Sequence, residues 1–198
     1  MICANTSAGH SLSRSEPQPR ENGIMPEARL KDTIEEHKKK SQIRANVAVI
    51  TLSSSRSPAN DQSGDIIQQL LEDNGHSVAL RKLISDSRNV LRATMRELIR
   101  QKNVDTIITT GGTGLAPSDI TIETVRNMLE KELPGFTSLF MLLSYPQAKS
   151  AAMLSRATAG TIRGKLVFCL PGSPRACKMA TERLILPELG HMLMLLRS

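Results

Sequence analysis

Residues 104–110 read VDTIITT, and Gly111-Gly112-Thr113-Gly114 follows them directly. The first part is a short β-branched run, the pattern of a strand buried on both faces. The second part is a glycine turn, where the backbone can take positive φ and approach a ligand closely. Consecutive N–H groups in such a turn can form a concavity for an anion. The spacing matches neither the P-loop nor the dinucleotide fingerprint. By itself the turn is open between two readings, a tight strand-to-helix connection and a phosphate site.

Outward from this stretch, strands and helices alternate. Residues 45–52 (ANVAVITL) predict a buried strand, and 63–74 a helix with Ile66, Ile67, Leu70 and Leu71 on one face, stopped by Gly75. A second strand is expected over 76–84, then a helix over 88–102 capped by Asp86 or Ser87 with Val90, Leu91, Met95, Leu98 and Ile99 inward. Asp119 is placed to cap a helix reaching about residue 130, which Leu133-Pro134-Gly135 breaks. Residues 136–156 read as helical in two pieces around Tyr145-Pro146. Strands over 158–162 and 165–170 are joined through Arg163-Gly164, and a last helix spans about 175–196, with Pro187 a break or a new start. This order predicts an α/β three-layer sandwich with a mostly parallel central sheet. Ligands in such folds sit beyond the carboxyl ends of the strands. Polar loops at Thr51–Asp61, Ser85-Asp86, Thr109–Asp119 and Pro171–Pro174 converge there.

Composition narrows the class. The chain has 198 residues, 39% hydrophobic, 2% aromatic and no Trp. Few aromatics disfavour nucleic acid as a partner, since single strands are read by stacking. The net charge of +7 is spread through amphipathic stretches and suits an anionic metabolite equally well. Cys3, Cys169 and Cys177 form neither a disulfide framework nor a zinc pair, which fits a reducing cytoplasm. No apolar run reaches the roughly 18 residues of a membrane span. Residues 1–42 are rich in Ser, Pro, Glu, Arg and Lys and read as a disordered or weakly structured extension, with a short helix near 30–40; residues 43–198 form one domain.

The polar loops carry the chemistry. Asp86 and Asp119 end neighbouring strand regions. Each reads either as a helix cap or as a carboxylate for Mg²⁺, which bridges protein carboxylates to substrate phosphates. Ser53-Ser54-Ser55-Arg56 offers hydroxyls and a guanidinium suited to phosphate, or to a solvated turn. The four histidines share no ligand spacing, and no nucleophilic Cys or His lies near the aspartates.

Together these residues resemble the MoaB/Mog family of molybdenum cofactor biosynthesis proteins. The resemblance rests on residues 109–124 (TTGGTGLAPSDITIET), Asp61-Gln62-Ser63-Gly64, Asp86, Pro134-Gly135-Phe136, Leu154-Ser155-Arg156-Ala157 and Leu170-Pro171-Gly172-Ser173-Pro174. It implies a molybdopterin-binding domain that assembles as a homotrimer or hexamer. In catalytic members, Mg-ATP adenylylates molybdopterin and pyrophosphate leaves; other members could be non-catalytic binding or carrier proteins. The resemblance maps catalytic and metal roles onto Asp86 and Asp119. It maps substrate contacts onto Ser55, Ser63, Gly111, Gly112, Thr113, Gly114 and Ser173. The family usually carries Asp where this chain has Ser54. It also carries an acidic residue and an Arg where this chain has Ser138 and Met141.

Overall fold

The computed structural model describes residues 43–54 and 56–198. The expected extension over 1–42 and the candidate contact Ser55 lie outside the described residues. Strands β1 (Asn46–Leu52), β2 (Ser77–Ile84), β3 (Thr106–Thr110), β4 (Lys131–Glu132), β5 (Thr158–Ile162) and β6 (Lys165–Leu170) make one sheet in the order β2-β1-β3-β6-β5-β4. β2, β1, β3 and β6 run parallel, while β5 and β4 pair antiparallel. The sheet is thus mixed and mostly parallel.

Helices α1 (Gln62–Asp73), α2 (Arg88–Arg100), α3 (Thr121–Arg126), α4 (Pro134–Ala148), α5 (Pro174–Ala180) and α6 (Leu186–Arg197) connect and follow the strands. The period-two alternation of strand side chains divides the core. Val47, Val49, Ile108, Phe168 and Leu170 pack with Ile67 and Leu71 of α1, Phe140 of α4, Cys177 of α5 and Leu189 of α6. Ala48, Ile50, Ile107, Val167 and Cys169 pack instead with Leu91, Met95 and Leu98 of α2 and Ile122 and Val125 of α3. No helix among the described residues is long and apolar enough to cross a membrane.

Several boundaries differ from expectation, each for a local reason. Asp119 does not cap α3: the helix starts at Thr121 behind Ile120, with no side-chain cap, and ends at Arg126 rather than near 130. Asp119 instead closes its own turn, its Oδ2 accepting from Ala116 N at 2.8 Å while its N–H donates to Ala116 O. Asp86 likewise does not cap α2, whose uncapped N-cap is Ser87. Leu133-Pro134-Gly135 starts α4 instead of only breaking the chain, because Pro suits the first helical turn. Pro146 is accommodated within α4, and the break comes at Lys149, where φ is +51° before a 3₁₀ stretch over Lys149–Leu154. The last helix is divided by a π-helical segment, Thr181–Ile185. Pro187 lies just beyond it, in the first turn of α6, where its missing N–H costs least.

Candidate functional site

The carboxyl ends of β1, β3 and β6 meet at the glycine turn. Gly111 N donates to Leu170 O at 3.1 Å, and Thr110 Oγ1 donates to Pro171 O at 2.8 Å. Gly111 has φ +96°, and a Cβ there would stand 2.3 Å from Leu52 O. Only glycine lets three strand ends approach so closely.

Four consecutive carbonyls of the turn are tied back. Thr121 Oγ1 donates to Gly111 O at 2.8 Å, and Thr121 N to Gly112 O at 2.9 Å. Arg156 Nε donates to Thr113 O at 2.8 Å, and Arg156 Nη2 to Gly114 O at 2.7 Å. The N–H groups of Gly112, Thr113 and Gly114 have no acceptor among the described residues. A loop whose carbonyls are occupied and whose amides are not is suited to an anion.

Arg156 also bonds Glu123 Oε1 through Nη1 at 2.5 Å. This hydrogen bond holds the Glu123 carboxyl below its ordinary range, against burial that pushes the other way. Glu123 Oε2 is buried without a partner among the described residues.

An open cleft of ≈ 240 Å³ lies over this edge, lined by Arg56, Asp86, Gly111, Gly112, Ser118 and Asp119, among others. Asp86 Oδ2 accepts from Ser54 N at 2.8 Å, and Asp86 N donates to Ser54 Oγ at 3.3 Å. Asp86 Oδ1 stands 3.7 Å from where a Cβ on Gly112 would lie. Each aspartate therefore commits one oxygen to a backbone N–H and keeps Oδ1 uncommitted among the described residues. Arg56 Nη2 donates to Gly172 O at 2.8 Å, while Arg56 Nη1 is buried with no acceptor among the described residues.

The structure thus brings Asp86, Asp119, Gly111 and Gly112 to one cleft. Thr113 is buried at 3% exposure, and neither it nor Gly114 lines that cleft. Ser63 is fully buried and donates its hydroxyl to Gly172 O at 2.8 Å. Ser173 caps α5, its Oγ accepting from Ala176 N at 3.2 Å. Ser173 also lines a second cleft of ≈ 230 Å³ with Phe140, Ser144, Ser155, Arg175 and Met179. Gly172 lines the first cleft and Ser173 the second, so the two adjoin through consecutive residues.

Beneath the cleft, Cys177 Sγ donates to Pro171 O and lies 3.1 Å from Thr110 Oγ1. Burial raises its thiol pKa, and burial pushes that of Cys169 up to about 12.

Thr121 and Arg156 carry the loop, yet neither stands out as a ligand-shaping residue in the sequence. Thr121 lies within the quoted 109–124 motif, two residues after Asp119. Arg156 is more than forty positions from the carbonyls it holds, and no local spacing announces that contact.

Residues 48–191 match the family model described as "Probable molybdopterin binding domain". The chain is 39% identical over 161 residues to Molybdenum cofactor biosynthesis protein B of Bacillus cereus, covering 81% of this chain and 95% of that protein. It is 42% identical over 149 residues to the protein of that name from Staphylococcus aureus strain Mu50, covering 74% and 88%. A crystal structure of a molybdenum cofactor biosynthesis protein B superposes with TM-score 0.76 at 38% identity, covering 78% of this chain and 97% of that one. The tungsten cofactor synthesizing protein MoaB from Pyrococcus furiosus superposes at 0.71 with 35% identity, covering 78% and 98%.

Proposed function

We propose, from the premise that this chain belongs to the MoaB/Mog family of molybdenum cofactor biosynthesis proteins, that its carboxyl-edge clefts bind molybdopterin and ATP and adenylylate the pterin. The observation that carries the reading is the 111–114 turn, with its carbonyls tied back beside two aspartates that each keep an oxygen uncommitted among the described residues. The terminal phosphate of molybdopterin would attack the α-phosphorus of ATP, forming a P–O–P bond as the bond to pyrophosphate breaks. The Gly112 amide, with no acceptor among the described residues, and the buried Arg56 Nη1 would hold phosphate oxygens, contacts that strengthen as negative charge builds. The adjoining second cleft, with Phe140 and Arg175, gives the other half of a two-part ligand a place to lie.

Asp86 and Asp119 suit Mg²⁺, which takes one or two carboxylates and completes its shell with water and substrate phosphates. When bound, the ion would neutralise phosphate charge during transfer. The two helix-covered core clusters support the three-layer arrangement.

The homotrimer or hexamer is also proposed. α4 leaves Leu139, Leu142 and Tyr145 at 50%, 67% and 59% exposure, and Met153 in the following 3₁₀ stretch is 70% exposed. Such a face is suited to a second copy of the chain.

A second reading, a non-catalytic molybdopterin-binding or carrier protein, is favoured by Ser54. It spends its backbone N–H on Asp86 and supplies no carboxylate of its own. One experiment separates the two: incubation with molybdopterin and Mg-ATP, assayed for pyrophosphate and for adenylylated pterin. Molybdopterin- and Mg²⁺-dependent product supports the enzyme. Tight pterin binding without product supports the carrier, and no pterin binding overturns both.

A further inference from the structure

We propose that a groove at the opposite edge of the sheet binds a phosphate monoester carrying an apolar body. The groove measures ≈ 260 Å³ and is lined by Arg96, Ile99, Arg100, Met128, Ile162 and Arg163. Arg96 and Arg100 lie one turn apart near the C-terminal end of α2, and Arg163 stands in the turn between β5 and β6. Because β6 starts at Lys165 and runs parallel to β3, this turn lies at the amino edge, away from the glycine turn.

Three arginines line one groove, and none makes an ion pair or side-chain hydrogen bond among the described residues. The acids of the neighbouring elements make no ion pair with them among the described residues. Glu130 Oε2 receives the backbone N–H of Arg163 at 2.9 Å, and Glu97 Oε1 receives Gln101 Nε2 at 3.5 Å. Like charges gathered together repel, and a dianion placed among them offsets that repulsion. Planar guanidinium forks match the oxygens of a phosphate.

The turn supplies an independent argument. Arg163 has φ +47° and Gly164 φ +73°. A two-residue hairpin turn with both φ positive prefers Asn, Asp or Gly at its first position. Arginine there carries backbone strain that asparagine would relieve, and strain of this kind gathers where a side chain serves a ligand. The floor of Ile99, Met128 and Ile162 offers no hydrogen-bond partner from its side chains, so the ligand must present an apolar portion between its charged group and the protein.

The test uses 1-naphthyl phosphate, with inorganic phosphate as the charge-only control, titrated into the full chain by calorimetry. The aryl phosphate is expected to bind more tightly than inorganic phosphate. Arg96→Ala and Arg163→Asn are each expected to weaken it by about tenfold or more, the loss of a charge-assisted contact. Arg56→Ala removes only binding in the other cleft and leaves in place the binding event that Arg96→Ala abolishes. Arg163→Asn also raises Tm, which separates a lost contact from a damaged fold. A lipid phosphate presents the same chemistry. Co-sedimentation with phosphatidylcholine vesicles containing phosphatidic acid, lost in Arg96→Ala, would assign the groove to a membrane surface, and its absence beside aryl phosphate binding to a soluble ester. Wild-type affinity in both groove variants, loss of binding in Arg56→Ala alone, or binding of duplex DNA without either phosphate ester overturns the proposal.

Discussion

Arg156 and Glu123, 33 positions apart in the chain, form a 2.5 Å ion pair directly beside the glycine turn. The same guanidinium holds Thr113 O and Gly114 O, so one side chain fixes both the loop and the first turns of α3. Arg156→Ala should therefore cost about 1–3 kcal/mol of stability, the range for partly exposed hydrogen bonds with a modest ion pair. Hydrogen exchange over residues 111–118 should rise with it. Arg156→Lys keeps the charge but cannot span two carbonyls and a carboxylate, so it should restore little of the protection. Unchanged exchange in Arg156→Ala would remove Arg156 as the brace of the loop.

Asp86→Asn and Asp119→Asn should each lower adenylylation by roughly a hundredfold or more, the scale for losing a group that stabilises developing charge. The folded state should survive, because asparagine's side-chain oxygen can still accept the backbone N–H now bound to each aspartate. Steady-state turnover with molybdopterin and Mg-ATP measures the effect, and wild-type rates would sink the proposed metal role. Ser54→Asp, in the same assay, should tighten Mg-ATP binding by adding a carboxylate beside Asp86.

Gly111→Ala should be among the most damaging small changes in the chain. The new methyl would meet Leu52 O at 2.3 Å, and φ is +96°. Both effects act on the floor of the cleft, so urea unfolding should show a loss of about 3 kcal/mol or more.

Acid should weaken the fold in two steps. Ala45 N donates to His76 Nδ1 at 3.1 Å, which requires that nitrogen to be unprotonated, and burial with nearby Arg44 lowers the His76 pKa. Its contribution is therefore complete above about 6.5, the ordinary histidine value, and is lost as pH falls from there through the lower folded value. Glu123, lowered chiefly by the Arg156 hydrogen bond, loses its contribution only at pH below about 4.5. Urea midpoints across pH 4 to 8 should show the first step, and His76→Gln should flatten it.

Leu142→Lys should reduce self-association, since it places a charge on a face where Leu142 is 67% exposed and flanked by Leu139 and Tyr145. Sedimentation velocity would show a smaller species, with little change in Tm of the isolated chain. An unchanged sedimentation coefficient would move the assembly face elsewhere.

The strands and most helices are legible in the sequence because their apolar periods are undisturbed, as in 45–52 and 88–100. The capping roles read for Asp86 and Asp119 fail for one reason, although α2 starts at Arg88 as expected. Asp is a strong capping residue in isolation, but here both carboxylates turn to loop amides, at Ser54 and Ala116. The glycine turn was legible as a candidate anion site, since strand and turn are local signals. What ties its carbonyls back was not. Thr121 lies in a motif that also reads as an ordinary helix start, and Arg156 comes from a distant segment whose approach depends on how α4 and the 3₁₀ stretch pack. Ser63 and Ser173 show the converse case: their hydroxyls are spent on Gly172 O and Ala176 N, contacts that a list of polar residues cannot reveal.

Cys177 gives this edge of the sheet a built-in reporter. Its thiol is buried against Thr110 and Pro171, the residues that precede the two turns of the cleft, and its raised pKa keeps it protonated near neutral pH. A disulfide reagent can reach it only when that layer parts. In a Cys3→Ser, Cys169→Ala background, the labelling rate would count openings of the cleft floor, and ligands that seal the cleft would slow the clock.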